Sequence, residues 1–221
     1  MLSAFGLTGC AGDLSALSPA GPAAGAIADL WWIMLIGGLA IFAATSAVLA
    51  AALWRPAWLG RNRSRTLILW GGLILPSAIL VALVGSAFAL GERLLVRRDA
   101  PANLQIEAIA SQWQWQFRYP TGAETINILH LPAGQDVDLL VSTRDVIHSL
   151  WVPRLGGKID AIPGHVNRIR LHAETPGRFG GVCAEFCGEN HAAMHFSVEA
   201  HPAEAFLDHL QPLQRGTSVG K

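Results

Sequence analysis

Residues 183–194 read Cys-Ala-Glu-Phe-Cys-Gly-Glu-Asn-His-Ala-Ala-Met, which gathers two thiols, an imidazole and a thioether into one short stretch. Thiolate and thioether are soft donors and imidazole suits copper in either oxidation state, so the combination selects copper. A single-copper electron-transfer site takes two histidines, one cysteine and a weak axial methionine. Cys187, His191 and Met194 supply three of these, and His148, in Asp-Val-Ile-His-Ser-Leu-Trp-Val-Pro, sits in a strand-like run placed to supply the fourth. Cys183 is then a second thiolate, and two bridging thiolates can hold two copper ions close enough to share an electron. Two alternatives stand beside this: a Cys183–Cys187 disulfide in an exported domain, and a closed zinc site, which would use neither the methionine nor an open geometry. His195 competes with Met194 as a donor, and the spacing from His191 favours Met194.

Upstream of this stretch the pattern is that of strands. Gln112–Tyr119 alternates, with Trp113, Trp115, Phe117 and Tyr119 on one face and Gln112, Gln114, Gln116 and Arg118 on the other, as a half-buried strand does. Residues 126–131, 137–141, 146–152 and 166–171 are further short apolar runs separated by Gly, Pro, Asn or Asp. Several short strands in one such stretch suggest a sandwich or barrel. Residues 202–213 space Phe206, Leu207, Leu210 and Leu213 like a short amphipathic helix.

The first third of the chain is of another kind. Over the 221 residues, 52% are hydrophobic and only 14% charged, and the formal net charge is zero, so no basic or acidic bias points to a nucleic-acid partner. Residues 30–54 and 66–90 carry no charge, and each is long enough to cross about 30 Å of hydrocarbon. Trp31, Trp32 and Trp54 lie at the ends of the first span, where indoles favour the lipid–water interface. Pro76 interrupts the second and is expected to kink it. Arg55, Arg61, Arg63 and Arg65 crowd the loop between the spans without an acidic residue, which places that loop in the cytoplasm and both ends outside. Cys10 follows Leu-Thr-Gly, which resembles the lipobox of bacterial lipoproteins and implies lipidation there; the other reading is an odd thiol in a flexible arm. Residues 11–28, rich in Ala, Gly, Ser and Pro, read as a linker.

The motif Cys-x-Glu-x-Cys-Gly-x-x-His-x-x-Met, with the upstream Asp-Val-x-His-Ser-x-x-Val-Pro, resembles subunit II of the haem-copper oxidases that oxidise cytochrome c. The resemblance implies a two-helix transmembrane hairpin followed by an all-β, cupredoxin-like Greek-key barrel. The implied division is an arm over 1–29, the hairpin over 30–91, a linker over 92–102, the barrel over 103–200, and a C-terminal helix and tail over 201–221. It implies a dinuclear copper centre, CuA, held by the side chains of His148, Cys183, Cys187, His191 and Met194 and by the backbone carbonyl of Glu185. It further implies a magnesium ion on the Glu185 carboxylate at the interface with subunit I. Trp113 becomes the entry point for electrons from a c-type cytochrome, and Lys158–Gly164 a structural or proton-related segment near that interface. The implied partners are the haem-bearing subunit I, which reduces oxygen, subunit III and the lipid bilayer, with the copper domain on the periplasmic side of a bacterial inner membrane.

Two departures from the family pattern accompany these expectations. Leu69 stands where the family often carries a glutamate, seven residues before the helix proline. The acidic residues expected for docking a basic cytochrome reduce to Glu124, Asp136, Asp138 and Asp145, scattered along the chain. Three rival functions share parts of the pattern. A quinol oxidase subunit would lack the copper ligands, a nitric oxide reductase subunit would share them, and a membrane-anchored copper-binding protein would need neither the thiolate pair nor the aromatic strand.

Overall fold

The structure, a computed structural model, describes residues 11–55, 61–94 and 104–217. Cys10 and most of the 92–102 connection lie outside the described residues. The chain divides into two compact units: residues 29–95 form one, and the remainder, including the residues before 29, forms the other.

The first unit holds two long apolar helices. Helix α1 spans Pro22–Trp54, entering from the other unit, and so begins eight residues before the uncharged span. The second helix comprises α2 (Arg61–Thr66), a π-helical stretch (Leu67–Ile74) and α3 (Leu75–Leu94). Pro76 has no N–H, and its ring would collide with the carbonyl four residues back. The wider π turns ahead of it answer this: the Leu75 N–H reaches back to the carbonyl of Trp70 rather than of Gly71. Wide turns thus take up the strain where the sequence suggested only a kink. Ile36, Phe42, Val81 and Phe88 are 65–74% exposed, and the Thr45 and Ser86 hydroxyls turn back onto the Ile41 and Ala82 carbonyls. Helices apolar all round, with polar groups satisfied internally, are built for a bilayer.

The second unit is an all-β domain of ten strands in two five-stranded sheets. They are β1 (Leu104–Ser111), β2 (Gln114–Arg118), β3 (Glu124–Ile126), β4 (Ile128–Pro132), β5 (Asp136–Thr143), β6 (His148–Trp151), β7 (Lys158–Ala161), β8 (Asn167–His172), β9 (Gly177–Cys183) and β10 (His195–His201). One sheet runs β3-β2-β1-β5-β8 and the other β4-β10-β9-β6-β7. Trp115, Phe117 and Tyr119 point from β2 and the residue after it into the space between the sheets, where Trp115 and Phe117 pack on Phe196 of β10 with ring centroids 5.8 and 5.6 Å apart. The run over residues 126–131 is not one strand. Asn127, at φ 56°, carries the chain from one sheet to the other, a conformation that asparagine tolerates better than most residues. Its side-chain oxygen accepts the Trp115 N–H at 2.8 Å, and its own N–H bonds the Trp115 carbonyl.

Two expectations need correction here. Residues 11–21 are no free linker but a strap bound to the β domain. Gly180 donates to the Asp13 carbonyl, Ala20 donates to the Arg154 carbonyl, Glu174 donates to the Ala20 carbonyl, and Arg154 Nε donates to the Ser18 carbonyl at 2.7 Å. The C-terminal helix, α4, spans Phe206–Thr217 rather than starting at 202, and docks through buried Phe206 and Leu210 while Leu207 faces out.

Candidate metal centre

Strand pairing assembles the cluster. Leu150 of β6 stands opposite Cys183, the last residue of β9, so His148, at the start of β6, comes beside that cysteine. The loop from Cys183 to Met194 closes on itself, because Cys183 N–H donates to the Met194 carbonyl at 3.0 Å. Ala184 N–H is taken by the Ser149 carbonyl and Met194 N–H by the His191 carbonyl. His148, Cys183, Cys187 and Met194 are all buried.

The sulfurs of Cys183 and Cys187 are 3.8 Å apart. A disulfide needs about 2.05 Å, so both cysteines are free. Two sulfurs bonded to one metal at about 2.3 Å and the tetrahedral angle would lie roughly 3.8 Å apart, which is the spacing found. Around Cys183 Sγ stand His148 Nδ1 at 3.8 Å and the Glu185 carbonyl oxygen at 3.3 Å. Around Cys187 Sγ stand His191 Nδ1 at 3.6 Å and Met194 Sδ at 3.7 Å. His195 is exposed on β10, whereas Met194 reaches the Cys187 sulfur. Burial, and then the neighbouring Cys183, push the Cys187 thiol up to about 12. A buried pair of this kind ionises when a cation supplies the compensating charge, so the donor set fits a soft metal ion.

Outer groups fix the inner ones. His148 Nε2 lies 2.8 Å from Asp145 Oδ1, so its proton belongs on Nε2 and the Nδ1 lone pair is left facing the sulfur. Asp145 also accepts the backbone N–H groups of Gln112 and Val146 at 2.8 and 2.7 Å. Burial raises its carboxyl, but these hydrogen bonds and His148 outweigh burial and leave it below its ordinary range. Asp145 therefore orients the His148 ring while its side chain stays 31% exposed. The other three acids are engaged too: Glu124 with Arg118, Asp136 with His172, and buried Asp138 with Arg170. The sequence contained the cue for Asp145, an acid three residues before a candidate ligand.

Trp113 does not continue the β2 strand but lies in the turn before it, half-buried. Its Nε1 donates to the Cys187 carbonyl at 3.2 Å, and Gln112 Nε2 donates to the same oxygen at 2.8 Å. Gly188 is required by this contact. Its φ is +117°, and a Cβ there would come within 3.2 Å of the Trp113 ring. Phe186 is 76% exposed beside His191, with ring centroids 5.8 Å apart. The Glu185 carboxylate is exposed, Lys158–Ala161 forms β7, and Leu69 lies 48% exposed in the π-helical stretch.

The family model described as "Cytochrome C oxidase subunit II, periplasmic domain" matches residues 121–201. The chain is 33% identical over 210 residues to cytochrome c oxidase subunit 2 of Alkalihalophilus pseudofirmus, covering 88% of this chain and 61% of that one. It is 30% identical over 157 residues to the same subunit of Albinaria turrita, covering 61% of this chain and 69% of that one. The crystal structure of the periplasmic domain of subunit II of cytochrome oxidase of Bradyrhizobium japonicum superposes with a TM-score of 0.51 at 29% identity, over 53% of this chain and 97% of that one. The β domain thus has the fold of that periplasmic domain. The chain spans less than two thirds of the Alkalihalophilus protein's length.

Proposed function

Since the chain belongs to the cytochrome c oxidase subunit II family, we propose that it is the electron-entry subunit of a terminal haem-copper oxidase. It accepts electrons from a c-type cytochrome at a dinuclear copper centre and passes them to a haem-bearing subunit I, where oxygen is reduced to water, with subunit III completing the assembly. The observation that carries this reading is the reduced thiol pair 3.8 Å apart, with one histidine and one further donor beside each sulfur. Two half-sites around two shared sulfurs suit two ions better than one.

His148, Cys183, Cys187, His191, Met194 and the Glu185 carbonyl would hold the coppers. When bound, the pair supplies a one-electron carrier whose unpaired electron spreads over both metals and both sulfurs, so little geometry changes on reduction. The chain's part is rigidity. Asp145 holds the His148 ring, Gln112 and Trp113 pin the Cys187 carbonyl, and the Cys183–Met194 hydrogen bond ties the loop's ends. Ligands locked in this way by outer hydrogen bonds do not have to reorganise. The half-buried Trp113 indole offers a flat docking face and a hydrogen bond into a ligand's backbone. The exposed Glu185 carboxylate is suited to a magnesium ion shared with subunit I. Electron paramagnetic resonance of the copper-loaded chain tests the centre. One electron coupled to two copper nuclei is expected, and a four-line single-copper spectrum at full loading would refute it.

A further inference from the structure

The β domain carries a second convergence of ligating side chains. His130 lies on β4, and Glu199 and His201 on β10, strands paired in parallel with Glu199 opposite His130. Alternation puts even-numbered β10 residues into the core, so Glu199 and His201 share the opposite face. His130 Nδ1 is 2.8 Å from His201 Nε2 and 3.6 Å from Glu199 Oε2, and the three ligand atoms lie within 4.8 Å of one another. The His130 side chain is only 12% exposed, and its backbone N–H is fixed by the Tyr119 hydroxyl at 2.7 Å. His209, from α4, stacks on His201 with ring centroids 4.1 Å apart. Its Nδ1 donates to the Ala205 carbonyl at 2.9 Å, which keeps that ring in place over the group.

We propose that His130, Glu199 and His201 form a second metal site, able to take a divalent ion of the zinc type and separate from the thiolate loop. Two imidazoles and one carboxylate, with a further position open, are a set that zinc takes. Nitrogens bonded to one zinc at about 2.0–2.1 Å lie roughly 3.3 Å apart at the tetrahedral angle, so the two nitrogens would separate by about half an ångström, give up the proton between them and turn their lone pairs to the ion. The carboxylate, at 3.6 Å from His130, is already at a co-ligand's distance. No thiol or thioether belongs to the group, so it is harder in character than the loop that selects copper. Met194 immediately precedes β10, whereas His201 ends it; at about 3.3 Å per residue the two sites stand roughly 20 Å apart. The ion would clamp β4 to β10 beneath α4. This inference rests on no assignment of the copper loop.

The test uses the full-length chain, copper-loaded and then stripped of loosely held ions, titrated calorimetrically with Zn²⁺ alone. One further Zn²⁺ per chain is expected. Glu199→Gln and His201→Gln should each weaken it by more than the roughly 10–100-fold typical of lost outer-sphere partners, while an unchanged circular dichroism spectrum and melting temperature report an intact fold. Glu199→Gln preserves shape on a half-exposed face, so it keeps the test valid even where a histidine variant folds poorly. Absence of stoichiometric Zn²⁺ binding in the wild-type chain, or wild-type affinity in folded variants, overturns the proposal and leaves a hydrogen-bonded histidine pair.

Discussion

Asp145 and Trp113 each hold one candidate ligand residue, Asp145 by accepting from the His148 ring and Trp113 by donating to the Cys187 carbonyl. Their roles separate experimentally. Changing Trp113 to Gln keeps a potential N–H donor near the Cys187 carbonyl but removes the π-system. The copper spectrum should persist, while reduction by a cytochrome c donor should slow by an order of magnitude or more. Stopped-flow mixing measures this, and a wild-type rate would make Trp113 merely a brace for the loop. The candidate donors other than His148 were legible because soft side chains are rare and here fall within one turn-rich stretch. Trp113 reads as part of a continuous aromatic stripe because alternation over residues 113–119 holds whether or not the chain bends at 113. Asp145 looked like a surface charge because its significance depends on where β6 begins. The His130–Glu199–His201 group was illegible for a related reason: parallel pairing of β4 with β10 joins residues about seventy apart.

Among the elements, the strap over residues 11–21 departs most from what composition suggests. It has no apolar periodicity to advertise burial, because it binds largely through backbone groups. Gly21 passes so close to β8 that a Cβ there would lie 2.2 Å from the His172 carbonyl oxygen. Arg154 anchors it by donating to Ser18 and by lying over the Phe179 ring at 5.3 Å. A hydrogen bond from a charged group contributes about 1.5–3 kcal/mol. Arg154→Ala should therefore open the strap roughly 10–100-fold more often and speed subtilisin cleavage within residues 11–21 by that factor, provided that reclosing outpaces cleavage. Mass spectrometry of the early fragments reads the result; an unchanged cleavage rate would show that the backbone contacts hold the strap without the arginine. The strands, by contrast, are largely readable, because inward aromatic residues alternate along β2 and inward Val137, Leu139 and Val141 along β5. Where reading failed, at residues 126–131, one asparagine with positive φ moved the chain between sheets without interrupting the hydrophobic run.

At the scale of the whole chain, two independent observations bear on how it lies across a membrane. The first is charge: Arg55, Arg61, Arg63 and Arg65 fall between the two spans with no acid among them, and short arginine-rich loops stay on the cytoplasmic side. The second is the strap, whose hydrogen bonds join residues before α1 to a β domain that follows α3. Chain segments bonded to each other lie on one side of a bilayer, so the segment between them crosses an even number of times, and its two long apolar helices satisfy that. Together these place the strap and residues 104–217 outside, with the arginine loop inside; we propose the periplasmic face of a bacterial inner membrane. Protease added to intact spheroplasts should then remove the β domain and cut the strap, while a tag inserted beside Arg63 survives until the membrane is broken. Cleavage of the tag in intact spheroplasts with the β domain protected would invert the topology. Protection of the strap alone, with the β domain digested, would separate the two and show that the strap's contacts do not form in the membrane-bound chain.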